Sequence, residues 1–262
     1  FYGCSALTTI TIPSGVETIN EYVFANCSSL TSINLPSVLT TIGASAFSGC
    51  SGLTSLTIPA SVTSIGSSAF RNCTALQALI FNCNVTNNYS TGSYVFENIG
   101  KDSSTGTCVV TFGDDVTSIP AYLFYHSSTG YSGITSVAYG SGITSIGTYA
   151  FYNNNKMAGA LNLPEGVTVI GNDAFYNCSK LTSLTLPSTL TTIGSYAFYS
   201  CSSIAGTITI PSKVTSFGSY AFQNCTGING SIIIQSGVTS LGQYAFSGCS
   251  NATGALTIPG TI

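Results

Sequence analysis

Apolar side chains return along this chain with a period of about 23 residues, and the stretch Leu181–Cys201 shows the pattern most clearly. Within it Leu184 and Leu186 alternate with the polar Ser183 and Thr185, and a proline follows at once. Alternation with a period of two that stops at a proline predicts a short β-strand with one buried face. Eleven strands are predicted in this way, and their last residues are Ile12, Leu35, Ile58, Phe81, Phe112, Tyr139, Leu163, Leu186, Ile210, Ile234 and Ile258.

The second half of each unit follows the proline turn. Two apolar residues three positions apart, such as Leu190 and Ile193, precede a glycine and the pair Ala-Phe. We interpret the apolar pair as a very short extended segment and the residues around Ala-Phe as one helical or 3₁₀ turn. Two positions after the Phe, nine of eleven units have Gly or Asn, which tolerate a left-handed backbone. His126 lies at the same position, where a structural role is favoured.

One unit buries seven or eight apolar side chains, too few to offset the entropy cost of ordering its backbone. The units must therefore stack, and their strands are predicted to be parallel because successive connections have the same sense. The predicted fold class is a repeat solenoid: a right-handed superhelix with a parallel β-sheet on the concave face and short extended or 3₁₀ turns on the convex face. Residues 1–262 are expected to form a single domain of about 11 units, irregular at 82–160, that is a fragment of a longer array.

Ten cysteines are present, and eight of them occupy one inward position of the unit. Side chains stacked in parallel at about 5 Å do not converge as a disulfide requires. We therefore expect a buried, reduced ladder of small apolar side chains rather than a metal or redox site. Whether Cys83 and Cys108 are paired stays open, because the bond would have to span roughly a strand length. The eight are Cys4, Cys27, Cys50, Cys73, Cys178, Cys201, Cys225 and Cys249.

Composition narrows the classes of function. Only 5% of the residues are charged, the formal net charge is −3, and the five basic residues are scattered, which leaves no basic surface for nucleic acid or an anionic membrane. No apolar run approaches the length of a membrane span. A surface rich in Ser, Thr and Asn fits a secreted or surface-displayed protein. We expect no cofactor and no enzymatic activity, because the sequence supplies no triad around its single histidine, His126, and the adjacent Asp114 and Asp115 fit a solvated turn.

Twelve of the fifteen tyrosines fall at two positions of the unit, either two residues before the Phe or one residue after it. Rings that pack over the Phe row with their hydroxyl groups in water are the favoured interpretation. An aromatic strip that receives a partner is the alternative. The first position holds Tyr22, Tyr94, Tyr122, Tyr149, Tyr196, Tyr220 and Tyr244, and the second holds Tyr2, Tyr125, Tyr152, Tyr176 and Tyr199.

The units LTSLTIPASVTSIGSSAFRNC at 53–73 and LTSLTLPSTLTTIGSYAFYSC at 181–201 resemble the repeats of the BspA-like leucine-rich repeat family. In the common leucine-rich pattern Asn follows the strand, whereas here Pro follows it and Cys precedes the next strand. The resemblance covers nearly the whole chain and weakens across 82–160. It implies a leucine-rich repeat solenoid from a surface or secreted protein of mucosal microbes, with a role in adhesion to host matrix proteins and to other cells. It supplies no ligand-binding residues.

Non-enzymatic recognition or adhesion is therefore the leading functional hypothesis, with a protein, such as a host matrix protein, or a glycan as the partner. No nucleic acid and no direct membrane insertion are expected, and the chain is expected to be a monomer that is secreted or held at the cell surface. A structural spacer that displays another domain is the alternative. An ice-binding surface is disfavoured because only two strands, Thr9–Thr11 and Thr207–Thr209, have Thr at both outward positions.

Partner binding is expected at the central concave strands together with the irregular segment 82–131. The concave face carries small, uncharged side chains, whereas the irregular segment adds aromatic and charged residues on extra loops, where recognition often concentrates. Deleting Thr86–Ser90 and Asp102–Gly106 is expected to leave the melting transition nearly unchanged. The candidate partner-binding residues are Ser136, Val109, Thr111, Tyr89, Tyr94, Glu97, Lys101, Asp102 and Tyr131.

Overall fold

The computed structural model describes residues 1–102, 106–127, 133–260 and 262. Within these ranges the chain forms nineteen strands and no helix. The strands are β1 (Thr9–Thr11), β2 (Thr18–Ile19), β3 (Ser32–Asn34), β4 (Thr41–Ile42), β5 (Ser55–Ile58), β6 (Ser64–Ile65), β7 (Ala78–Phe81), β8 (Val109–Phe112), β9 (Ser118–Ile119), β10 (Ser136–Ala138), β11 (Ser145–Ile146), β12 (Ala158–Asn162), β13 (Val169–Ile170), β14 (Lys180–Thr185), β15 (Thr192–Ile193), β16 (Ile208–Ile210), β17 (Ser216–Phe217), β18 (Ile232–Ile234) and β19 (Leu256–Thr257).

Eleven of these strands lie where the alternating pattern predicts them, one in each unit, and we call them the long strands. Each pairs in parallel with the equivalent residues of a neighbouring unit, as in Thr9 with Ser32 and Ala78 with Val109, and together they form four sheets, β1-β3, β5-β7-β8-β10, β12-β14 and β16-β18-β19. The second of these pairs joins strands separated by the longest irregular connection, so the stack of long strands continues across it. The predicted leucine-rich repeat solenoid is therefore confirmed. The long strands are β1, β3, β5, β7, β8, β10, β12, β14, β16, β18 and β19.

The other eight strands are the short extended segments predicted after the proline turn. They form two parallel sheets, β2-β4-β6 and β9-β11-β13-β15-β17, so each regular coil contributes to a long-strand sheet and a short-strand sheet. Six of the eight short strands are followed by a glycine, which lets neighbouring coils approach closely. A Cβ on Gly218, for example, would overlap the backbone nitrogen of Ser195 in the preceding coil. This contact explains why the unit has glycine at that position.

The turn around Ala-Phe differs from the predicted helical or 3₁₀ turn. Successive hydrogen bonds join residues three apart, from the Ala25 amide to the Tyr22 carbonyl at 3.1 Å and from the Cys27 amide to the Phe24 carbonyl at 3.2 Å. Left-handed residues stand at both ends, with φ of 58° at Tyr22 and 59° at Asn26, and they prevent a continuous helix in the described residues. The nine Gly and Asn residues two positions after Phe all have positive φ, as predicted, but His126 is not among the residues with positive φ.

The core is a column of phenylalanine rings, one from each unit. Neighbouring ring centroids lie 4.9–5.6 Å apart with the planes within 25° of parallel. The turns beside this column are tied to one another along the solenoid axis, because the Phe24 amide donates to the Ala46 carbonyl of the next unit at 2.8 Å and the Phe198 amide donates to Ala221 in the same way. Each coil is thus held mainly by its two neighbours.

The cysteine ladder is reduced, and all ten cysteines are free thiols. Each thiol from Cys27 onward in the ladder donates to the Phe carbonyl of the preceding unit at 3.1–3.4 Å. Asn154, which replaces Cys in one irregular unit, makes the equivalent bond to the Phe124 carbonyl at 2.8 Å. The expectation that all eight are buried is wrong at two positions: Cys4 is exposed and Cys249 is half-buried, because each lies in a terminal coil. Cys83 and Cys108 are buried and unpaired.

Native thiol titration is expected to detect Cys4 rapidly, Cys249 more slowly, and the other eight cysteines only after unfolding. Burial raises the pKa of Cys50, Cys83 and Cys108 to about 12, so their reactive thiolate form is scarce at neutral pH. The measurement is reaction with a disulfide reagent, first in buffer and then in denaturant without reductant. Fewer than ten thiols in the denatured sample would show that disulfides form.

Candidate functional site

Three of the predicted binding residues meet on the sheet of long strands. Parallel register sets Val109 of β8 beside Ala78 of β7 on one side and Ser136 of β10 on the other. Val109 is 37% exposed and Ile80 is 41% exposed, so two large apolar side chains face solvent where most other coils present Ser, Thr or Asn. We call this surface the central sheet patch, and it consists of Ala78, Ile80, Val109, Thr111, Ser136 and Ala138.

The charged residues predicted for the site lie on the segment that leads into β8. The Asp102 amide donates to the Thr74 carbonyl at 2.8 Å, which anchors the start of this segment to the preceding coil. Asp102 is exposed and Lys101 is half-buried. Both therefore lie ahead of the long strands rather than on the sheet face. Tyr131, which was also predicted to contribute, lies outside the described residues.

Tyr89 is not on an exposed loop, so that part of the prediction is wrong. Its side chain is 8% exposed and its hydroxyl group donates to the Ile65 carbonyl of β6 at 3.0 Å. Asn87 also bonds to the edge of β6: its side-chain oxygen accepts a hydrogen bond from the Ile65 amide at 2.8 Å. On the other side Asn84 accepts from the Thr117 amide at 2.8 Å, just before β9. These side chains substitute for the missing short strand of the irregular coil.

These contacts also correct the expectation that residues 86–90 can be removed without affecting stability. Deletion would expose the edge of β6 and remove the buried ring of Tyr89. In the sequence, two Asn residues and a Tyr stand where other units have the apolar pair that forms a short strand. This substitution is the sequence feature that corresponds to the structural role. In the irregular coil, side-chain hydrogen bonds therefore take the place of a short strand.

Glu97, another of the candidate binding residues, has a buried side chain. The residue is 2% exposed, and its carboxylate lies 2.9 Å from Nε of Arg71 in the preceding coil. The other carboxylate oxygen accepts from both the hydroxyl group and the amide of Ser127 in the following coil. Glu97 therefore links three successive coils. A buried carboxylate is stable only with such partners.

Tyr94 belongs to an array of tyrosines on the turn side of the solenoid. Its ring is half-buried, and the Arg71 guanidinium lies over it at 4.9 Å from the centroid. We call the position two before Phe the first tyrosine row and the position after Phe the second tyrosine row. Tyr122 and Tyr149 stack at 4.7 Å in the first row, and Tyr152 and Tyr176 stack at 4.6 Å in the second. Most rings of the two rows are half-buried, so they pack against one another and keep part of their edges in solvent.

The sequence pattern does not predict the left-handed backbone of the first tyrosine row. All seven of its tyrosines have positive φ, from 45° at Tyr94 to 61° at Tyr220, although bulky residues rarely adopt this conformation. The turn geometry is therefore common to every coil, and the ring stack offsets a backbone cost of roughly 1–2 kcal/mol per residue.

The sheet face also carries two shallow clefts beside the proline turns, each about 310 Å³ in volume. One is lined by Ser, Thr and Asn side chains of β3 and β5, and the other includes Glu165, Ser188 and Gln235. Neither has a pair of groups arranged for acid–base chemistry. Among the described residues, no cluster of three or more His, Cys, Asp or Glu side chains could hold a metal ion. The described part of the chain contains no helix with the length and apolar character needed to span a bilayer.

The stacked coils, the parallel long-strand sheet and the Phe and Cys positions define a leucine-rich repeat solenoid. The chain belongs to the family described as BspA type leucine rich repeat region, which it matches in six copies over residues 1–130 and 117–253. A comparison with curated proteins gives no match.

Several solved bacterial structures are similar. A leucine rich repeat protein of T. pallidum is 29% identical with a TM-score of 0.52, over 58% of this chain and 70% of that one. A leucine rich cell surface protein of Faecalibacterium prausnitzii is 26% identical with a TM-score of 0.47, over 94% of this chain and 65% of that one. The pneumococcal vaccine antigen PcpA is 21% identical with a TM-score of 0.48, over 97% of this chain and 73% of that one.

Proposed function

We propose that this chain is a non-enzymatic recognition module that binds a partner protein through its long-strand sheet, with the central sheet patch as the contact. The observation that carries the proposal is the pair Ile80 and Val109, which are 41% and 37% exposed on adjacent strands, where most other coils present Ser, Thr or Asn on the sheet face. Apolar side chains at the centre of a polar surface are the usual core of an interface. An extended sheet on a solenoid provides the broad surface that surrounds it.

Several features support a secreted or cell-surface protein that adheres to a host matrix protein. Only 5% of the residues are charged, and the polar surface is built from Ser, Thr, Asn and Gly. The BspA-like resemblance implies the same location and adhesive role. Thr111, Ser136, Lys101 and Asp102 would supply polar contacts around the apolar pair, and a monomer would leave the whole sheet open to its partner. A glycan is the second class of partner to screen.

Val109→Lys is expected to weaken binding about tenfold or more, because it places an ammonium group at the centre of a desolvated contact. Val169→Lys is the matched control, since Val169 is 36% exposed but lies in the short-strand sheet. The partner is first selected on arrays of matrix proteins and glycans, and each variant is then titrated against it.

The control should bind like the unsubstituted chain, and both variants should melt at nearly the same temperature. Equal binding by both variants would place the contact on another surface. No binding of the unsubstituted chain to any arrayed protein or glycan would favour the spacer.

A further inference from the structure

Between Tyr122 and Tyr244 the first tyrosine row has one gap, where Asp173 takes the place of tyrosine. Its φ of 55° matches 57° at Tyr149 and 56° at Tyr196, so the three side chains leave the backbone in the same direction. On one side of the gap Tyr149 stacks on Tyr122 at 4.7 Å, and on the other side Tyr196 stacks on Tyr220 at 4.7 Å. Asp173 therefore interrupts a continuous stack.

The gap has the width of one flat group. Coils repeat at about 4.8 Å, so the rings of Tyr149 and Tyr196 are separated by about 9–10 Å, twice an ordinary stacking distance. The two ring faces that meet this gap are not covered by a neighbouring tyrosine of the row. Behind it the second tyrosine row is continuous, with Tyr152, Tyr176 and Tyr199 stacked at 4.6 and 4.7 Å. We call this feature the Asp173 notch.

The notch carries a negative charge that the chain does not neutralise. Asp173 is half-buried and interacts with the Tyr149 hydroxyl group, and Tyr152, Tyr176 and Tyr196 are its other titratable neighbours. Within the described residues the one ion pair is that of Arg71 with Glu97, so no Lys or Arg pairs with Asp173. Burial raises the pKa of Asp173 to about 6, and the interaction with the Tyr149 hydroxyl group opposes that rise.

The same row shows how an uncovered tyrosine face is filled elsewhere. Ser68 precedes Tyr94 in the first row, which leaves one face of Tyr94 without a stacking partner. The Arg71 guanidinium covers Tyr94 at 4.9 Å from the ring centroid and pairs with the Glu97 carboxylate at 2.9 Å. At Tyr94 the chain itself therefore places a guanidinium between a ring face and a carboxylate.

We propose that the Asp173 notch binds an arginine side chain of a partner protein. The planar guanidinium would lie between the faces of Tyr149 and Tyr196 and donate hydrogen bonds to the Asp173 carboxylate. Arginine fits better than lysine because it is flat, weakly hydrated and stacks on aromatic rings. A neutral flat group could fill the space but would leave the negative charge of the carboxylate without a cation. The notch lies on the turn side, so this proposal does not depend on the central sheet patch.

The test uses N-acetyl-arginine-N-methylamide as the probe, with the lysine and citrulline analogues for comparison. Citrulline has nearly the shape of arginine but no charge. Binding is followed by amide chemical shifts of Tyr149, Asp173 and Tyr196 on titration of the ¹⁵N-labelled chain. Saturable shifts are expected with the arginine probe at millimolar concentrations, with at least fivefold weaker binding of both analogues. Affinity should rise between pH 5 and pH 7.5, as Asp173 becomes ionised.

Two variants separate charge from shape. Asp173→Asn should weaken binding of the arginine probe at least fivefold, and Asp173→Tyr should abolish it by completing the stack. Asp115→Asn, a change at an exposed turn carboxylate, is the matched control and should bind like the unsubstituted chain. Equal affinity for arginine and citrulline, or full binding by Asp173→Tyr, would overturn the proposal. So would the absence of saturable shifts in the unsubstituted chain.

Discussion

Phe175→Ala is expected to lower the free energy of unfolding by about 3–5 kcal/mol, the range measured for the loss of a buried aromatic ring. Phe175 is fully buried and stacks on Phe151 at 5.3 Å and on Phe198 at 5.4 Å. Removal of the ring leaves a cavity in the middle of the column, where the stacked coils on both sides restrict collapse. Urea denaturation followed by far-ultraviolet circular dichroism measures the change.

Phe246→Ala is the matched control for this experiment. Phe246 occupies the same position of the unit but is only half-buried, and it has ring contacts with Phe222 and Phe217. The same substitution there should cost less than half as much. Because coils contact mainly their neighbours, the central cavity should also broaden the transition or split it in two. An equal loss at both positions would contradict a column whose stability depends on its interior rings.

Arg71→Ala is expected to cost about 3 kcal/mol, at the lower end of the range for breaking a buried ion pair. The change leaves the Glu97 carboxylate without its cation, although Glu97 is only 2% exposed. We take the lower end because the Arg71 side chain is itself 41% exposed and a water molecule can reach part of the space it leaves. Equilibrium denaturation at pH 7 gives the value.

Glu97→Gln is the companion substitution. It keeps an oxygen that accepts from Ser127 and removes the buried charge, so a smaller loss of about 1–2 kcal/mol is expected. The double variant Arg71→Ala/Glu97→Gln should then be more stable than Arg71→Ala alone, because no carboxylate remains unpaired. A double variant whose loss equals the sum of the single losses would show that the two side chains do not interact.

The regular part of the fold could be predicted because each unit repeats one local pattern. The alternation around Leu184 and Leu186 places a long strand, and the Phe column follows from stacking identical units. Register needed no separate information, since equivalent residues of equal units must pair, as Ile208 does with Ile232. In a repeat protein, the sequence of one unit therefore determines both the conformation of that unit and its pairing with the neighbouring units.

The irregular coil could not be predicted in this way because its contacts join residues with no common pattern. Asn84 bonds to Thr117, which is 33 positions away, and Asn87 bonds to Ile65 across 22 positions. A tyrosine or glutamate in a polar segment suggests exposure, yet Tyr89 and Glu97 are buried because the side chains of adjacent coils satisfy them. Among the described residues of the predicted site, Val109, Thr111 and Ser136 lie together on one surface of the long-strand sheet.

The hydrogen bonds between turns, such as Phe24 to Ala46 and Phe198 to Ala221, have a mechanical consequence. They run along the solenoid axis, so a force that pulls the ends of the array apart loads them coil after coil, in series. Bonds loaded in series break one set at a time, and each coil released adds about 80 Å of extended chain, from roughly 23 residues at about 3.5 Å each. Under tension this solenoid is therefore an extensible tether, which lengthens stepwise at low force before its last coil opens.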